Sequence, residues 1–208
     1  MRTAFAAAIL LGAAALTHAQ PKGEPASKDP QPRYGVKPRL KQYPQTTAKE
    51  ALKSAVEAVE AVDYPYLVAQ LLDPKFVDEA VAERAKLFQA GAEAELAQLR
   101  DFQRANPTKV APEDRVPLDP NGFRAAAAVK ARERAFKQLL RDIEQKLTDD
   151  PQSVRDLRRI ARDGSFVDAD PVSTATHADV KGRSLYFKKI GERWFLENKQ
   201  AEEPKKEP

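Results

Sequence analysis

The chain has 208 residues, with 35 Lys and Arg against 31 Asp and Glu, a formal net charge of +4 and a mean hydropathy of −0.60. So small and mixed a charge is not the footprint of a nucleic-acid-binding surface. The absence of cysteine excludes disulfides, thiolate metal sites, iron–sulfur clusters and cysteine nucleophiles.

Residues 1–19 read as a secretory signal peptide. Arg2 supplies the positive start, Ala4 to Leu16 the apolar run, and Thr17-His18-Ala19 the small-residue cleavage signal before Gln20. The apolar run is shorter than the roughly 20 residues a bilayer span needs. The expected mature chain begins at Gln20, outside the cytoplasm, in the periplasm or the medium. His177 is then its only histidine, which excludes a multi-histidine metal site within one chain. No metal and no cofactor is expected.

Residues 20–45 carry six prolines among Lys, Asp and Gln, and read as a disordered, Pro-rich tether. The tail 199–208 reads the same way. A single α+β domain is expected over 46–198. Thr47 followed by Glu50 is a capping-box signature, and Leu52, Ala55, Val56 and Val59 recur at helical spacing. Asp63 and Pro65 suit a second helix start and Asp73-Pro74 its end, with Leu67, Val68, Leu71 and Leu72 inward.

The stretch 78–163 is mainly helical by pattern. A long helix over about 77–105 presents Val77, Val81, Ala85, Phe88, Ala92, Leu96, Leu99 and Phe102 as one stripe. A Pro-rich surface loop over 106–122 separates it from another over about 123–148, with Phe136, Leu139, Leu140, Ile143 and Leu147 inward. Asp150-Pro151 opens a shorter helix, and Gly164 suits its left-handed C′ position.

After Gly164 the period changes to two. "VSTATHADV", "SLYFKKI" and "RWFLEN" read as strands, so N-terminal helices and a long helical middle should pack on a three- to four-stranded antiparallel meander. Gly191-Glu192 fits a two-residue type II′ turn. That turn sets Ile190 opposite Arg193, Lys189 opposite Trp194, Phe187 opposite Leu196 and Tyr186 opposite Glu197. A similar turn at Lys181-Gly182 would put Ala178 beside Leu185, His177 beside Tyr186 and Thr176 beside Phe187. Leu185, Phe187, Trp194 and Leu196 then form the core face.

The segments "TTAKEALKSAVEAVEAVDYPYLVAQLLDPKFV" and "LYFKKIGERWFLEN" resemble the nuclear transport factor two-like superfamily, the cystatin-like cone that includes SnoaL-type proteins. The resemblance covers about 47–77 and 172–198. It implies a curved antiparallel sheet wrapping a helix, often around a pocket, on a scaffold that serves enzymes, binding modules and assembly domains alike. It also implies an acidic residue at or near Asp63 in catalytic members. The helical middle departs from the family pattern and reads either as an insertion into the cone or as a fold of its own.

The candidate site residues are few. His177, Tyr186 and Glu197 would form one cross-strand row able to move a proton, and Asp63 is the fourth candidate, although a helix-cap role accounts for it equally. Arg155, Arg158, Arg159 and Arg162 lie along one helix face and are anion-binding candidates, balanced by Asp156 and Asp163. Phe187, Trp194 and Leu196 are assigned to the core. No nucleophile–base motif is present, and most acids have a basic neighbour or a capping role. The expectation is an exported non-catalytic module binding a small apolar ligand or a partner protein. A cone-fold enzyme using an acid or histidine in an apolar pocket is the alternative. Pairing of the long helices into a homodimer is the third reading. No nucleic-acid partner and no membrane span in the mature chain are expected.

Overall fold

The structure, a computed structural model, describes residues 31–199. The targeting segment, tether positions 20–30 and tail positions 200–208 lie outside the described residues. The architecture is α+β, helices first and then a four-stranded antiparallel sheet. Among the described residues no helix is long and apolar enough to cross a membrane.

Helix α1 spans Ala48–Glu60. Thr47 caps it, its hydroxyl accepting from the Glu50 N–H at 3.1 Å. The return half of the box is displaced by one residue: Glu50 Oε2 accepts from the Thr46 N–H at 3.0 Å. The helix ends in a Schellman motif, Asp63 N–H donating to Ala58 O at 2.8 Å and Val62 N–H to Val59 O at 3.1 Å. The residue forced into the left-handed region there is a valine, Val62, at φ +56°.

Asp63 then caps a short helix α2, Tyr64–Tyr66, which continues as a π-helical turn over Leu67–Leu71. All five residues of the turn are buried, Gln70 included, where the sequence suggested one buried face. The cause is packing on several sides, by α1, α3 and the last strand. The turn's terminal carbonyls find cations and an amide instead of water. Arg33 donates to Ala69 O at 2.8 Å, and Arg193 and Gln45 each donate to Gln70 O at 3.0 Å.

This arrangement overturns the tether reading for residues 31–45. That stretch lies on the domain. Tyr43 is buried against Tyr66, with ring centroids 4.5 Å apart, and Gln45 is buried beside Trp194. The prolines fix direction rather than prevent order, because Arg33, Tyr34, Tyr43 and Gln45 supply anchors the composition concealed.

Helices α3, Pro74–Ala105, and α4, Pro120–Asp149, form an antiparallel hairpin. Val77, Val81, Ala135, Phe136 and Leu139 close its base against Val68 and Ala69. Leu96, Val116 and Ala127 close its far end. Phe88 and Leu96 therefore pack within the chain. Phe102, expected inward, is 50% exposed. Gln103 takes the inward place and bonds both backbone groups of Val116, accepting at 2.9 Å and donating at 3.3 Å. The pairs Arg84–Asp142 at 3.0 Å and Lys130–Glu95 at 2.5 Å lace the two helices. Helix α5, Pro151–Asp163, packs on α1.

The sheet is a meander of β1 Ser165–Ala169, β2 Val172–Thr176, β3 Leu185–Ile190 and β4 Arg193–Glu197. The β3–β4 register is the one the Gly191-Glu192 turn dictates: Ile190 faces Arg193 and Tyr186 faces Glu197. Gly191 has φ +62°, as a type II′ turn requires. The β2–β3 register differs from expectation by three residues. Ala175, not Ala178, pairs with Leu185, and Thr174, not His177, pairs with Tyr186. Residues 177–184 form a loop rather than strand and tight turn, because Val180 drops into the core and Arg183 turns toward α5. Phe187 and Trp194 are buried on Leu52 and Ile160, with Leu185 and Leu196 partly buried beside them. Phe195, on the opposite face, is buried under the Arg193 guanidinium, 4.9 Å above its ring. The outer edge of β4 is closed by Gln45, whose carbonyl accepts from Trp194 N–H at 2.9 Å, and by Asp73, whose N–H donates to Leu196 O at 2.9 Å.

Candidate functional site

Two clefts formed by the described residues bear on function. The first, of about 760 Å³, lies between the turn at Arg33-Tyr34-Gly35, the start of α3 and the flank of α4. It is built from the turn upward. Arg33 and Val36 exchange backbone hydrogen bonds at 3.1 and 2.8 Å, and Tyr34 and Gly35 both have positive φ, +52° and +79°. Two positive φ values in a two-residue loop define a type I′ turn, in which a tyrosine is strained and a glycine is not. Tyr34 is held there from outside. Its ring stacks on Phe136 with centroids 4.4 Å apart and planes 6° from parallel, and its hydroxyl donates to Asp78 Oδ1 at 2.7 Å. Burial pushes the Tyr34 phenol well above its usual range, and the Asp78 hydrogen bond adds to this. Arg33 shares the same carboxylate at 2.7 Å and also donates to Pro74 O at 3.1 Å.

The opposite wall is one stripe of α4: Val129, Arg132, Glu133, Phe136 and Lys137. Val129 is 58% exposed. The cleft thus has a flat aromatic wall, an apolar lip and a charged rim.

The second cleft, of about 720 Å³, lies between α5, the 182–185 loop and the end of β4. Leu157, Ile160, Leu185 and Leu196 are apolar lining. Asp156 and Glu197 are its acids, with side chains 11% and 9% exposed. Each has a cation: Arg183 at 3.1 Å from Asp156, and Lys199 at 2.9 Å from Glu197. The Glu197 hydrogen bond, with its charge, raises the Lys199 ammonium pKa.

The predicted residues are scattered across the domain. Tyr186 and Glu197 are neighbours across β3 and β4. His177 is not in their row. It sits in the loop after β2, where its Nδ1 accepts from the Asp179 N–H at 3.0 Å. Asp63 caps α2, accepting from the Tyr66 N–H at 3.3 Å, pairs with Arg39 and accepts from the Tyr43 hydroxyl at 3.4 Å. Neither His177 nor Asp63 lines either cleft. The four arginines of α5 are exposed. Arg158 pairs with Glu60 at 2.7 Å and Arg162 with Asp163 at 2.5 Å.

Sequence reading did not single out Arg33, Tyr34, Arg132 or Lys137, and placed Phe136 only in the core. The available signal was the Tyr34-Gly35 pair, a turn dipeptide whose aromatic member needs a partner. The register error that brought His177 to Tyr186 came from treating Lys181-Gly182 as a two-residue turn.

No protein-family model, curated protein or solved structure matches this chain. Among the described residues no group of three or more His, Asp or Glu side chains is placed to hold a metal ion.

Proposed function

We propose that this is an exported, non-catalytic module that binds a small ligand with a flat apolar body in the cleft between Tyr34 and α4. One observation carries the reading. A non-glycine residue is kept in a strained left-handed conformation, and what keeps it there is the stacking of its ring on Phe136 at the wall of an open cleft. Backbone strain of about 1–3 kcal/mol persists where the surroundings over-determine it, and ligand clamps are one such place. A planar group entering beside Val129 would extend the same stack. The cone-type scaffold remains part of the proposal: α1 packs beside an antiparallel meander, with the α3–α4 hairpin as the added element.

The test uses 2-naphthalenemethanol, a neutral flat probe, titrated into the mature protein with its fluorescence as readout. Saturable binding, lost on Val129→Glu and on Tyr34→Ala with the fold intact by circular dichroism, is the expected result. Absence of saturable binding sinks the reading.

A second reading, the cone-type enzyme, is favoured by the second cleft, where two largely buried carboxylates share an apolar lining. Its acid and base would be Glu197 and Asp156 rather than Asp63 and His177. A turnover found on any substrate and abolished by Glu197→Gln would bring this reading forward.

A further inference from the structure

Within the hairpin, three cations of α3 and α4 are paired across the two helices: Arg84 with Asp142, and Lys130 and Arg134 both with Glu95. Arg100 lies instead over the Phe123 ring, 4.6 Å from its centroid. Arg132 and Lys137, which line the first cleft, are exposed and have neither ion pair nor hydrogen bond to any described residue. The cleft's other cation, Arg33, is taken up by Asp78 and two carbonyls. Glu133 also lines the cleft without a cation partner, so its unneutralised groups are two cations and one carboxylate. Arg132 lies close enough to Tyr34 for its charge to act on the phenol.

Arg132 precedes Phe136 by one helical turn and Lys137 follows it directly, so the two charges flank the aromatic wall along α4. Two exposed cations without a partner beside an apolar surface create a local positive potential that favours a ligand bringing the opposite charge. Guanidinium and ammonium together suit a carboxylate, the one offering a planar fork and the other a point charge. From this geometry we infer that the cleft selects an aromatic or otherwise flat apolar acid, its ring against Tyr34 and Phe136 and its carboxylate held by Arg132 and Lys137. The inference rests on the proposed binding role of this cleft and adds the charge of the ligand.

The experiment compares two probes of the same ring, 2-naphthoate and 2-naphthalenemethanol, on the mature protein at low salt. The anion is expected to bind about tenfold tighter or more, the scale of one charge-assisted hydrogen bond. Arg132→Ala and Lys137→Ala should each reduce that preference severalfold, the loss of affinity falling more heavily on the anion than on the neutral probe. Raising the ionic strength should shrink the preference, and Arg155→Ala, on α5, should not alter it. Equal affinity for the two probes would overturn the inference and leave the cleft's binding role standing. Failure of both probes to bind would remove both.

Discussion

Val62 offers a test in which the sign alone decides. It occupies the left-handed C′ position of α1, at φ +56°, and is 63% exposed. A β-branched residue there is an outlier, and holding it costs about 2–3 kcal/mol, the upper part of the range for such strain. Replacement by glycine removes that cost. Against it stand about 0.4–1 kcal/mol of extra unfolded-state entropy and roughly 0.5 kcal/mol for the third of the side chain that is buried. The net is a stabilisation of about 1 kcal/mol, or about 2–4 °C in melting midpoint for a domain of this size. The assay is thermal and urea unfolding of Val62→Gly beside Val62→Ala. With a left-handed backbone, glycine must be the more stable of the two. At an ordinary helical or extended position alanine wins by about 0.4–1 kcal/mol. A more stable Val62→Ala would refute the Schellman geometry and, with it, the way Asp63 is brought to the start of α2.

Trp194 is 7% exposed in the core shared by α1, α5 and the sheet, so Trp194→Ala should cost about 3–5 kcal/mol; an unchanged midpoint by far-UV circular dichroism would take it out of the core. At Gly164 a Cβ would stand 2.4 Å from Ile160 O and 3.0 Å from Thr176 O. Gly164→Ala should therefore destabilise by about 1–3 kcal/mol in urea unfolding, and neutrality would mean that α5 and β2 approach less closely. Asp142 is held below the usual carboxylate range by its hydrogen bond from Gln138 and then by Arg84. A carboxyl whose folded pKa is depressed stabilises above its unfolded value, near 4, and loses that contribution as pH falls below it. Asp142→Asn should accordingly flatten the stability profile below about pH 4, by well under 1 kcal/mol because both partners of the pair are about a third exposed and solvent screens it. An unaltered acid limb would remove the Arg84–Asp142 contact from the hairpin's stability.

Local chemistry was enough to set much of the fold. Thr47, Asp63, Asp73, Asp119 and Asp150 each cap the helix that follows, because a short polar side chain satisfies orphan N–H groups without help from elsewhere. Gly191-Glu192 fixed the β3–β4 register for the same reason, since a two-residue turn leaves no slack. The α+β class followed from the change of period at Gly164. That glycine, though, is not left-handed: it has φ −66° and is small because Ile160 and the β2 carbonyl at Thr176 come close to it.

What the sequence could not set depends on long-range contacts. Whether residues 31–45 order depends on Phe136, Asp78, Tyr66 and Trp194, the last of them 149 positions from Gln45. A proline-rich composition carries no record of partners that distant. The β2–β3 register turned on Val180 finding a place in the core, which outweighed the tight turn suggested by Lys181-Gly182. The first cleft has the same origin. Arg132 and Lys137 look like any solvated helix charges until the Tyr34 turn is laid against α4, and only tertiary packing, by setting the Tyr34–Phe136 stack beside them, makes them the rim of a cleft.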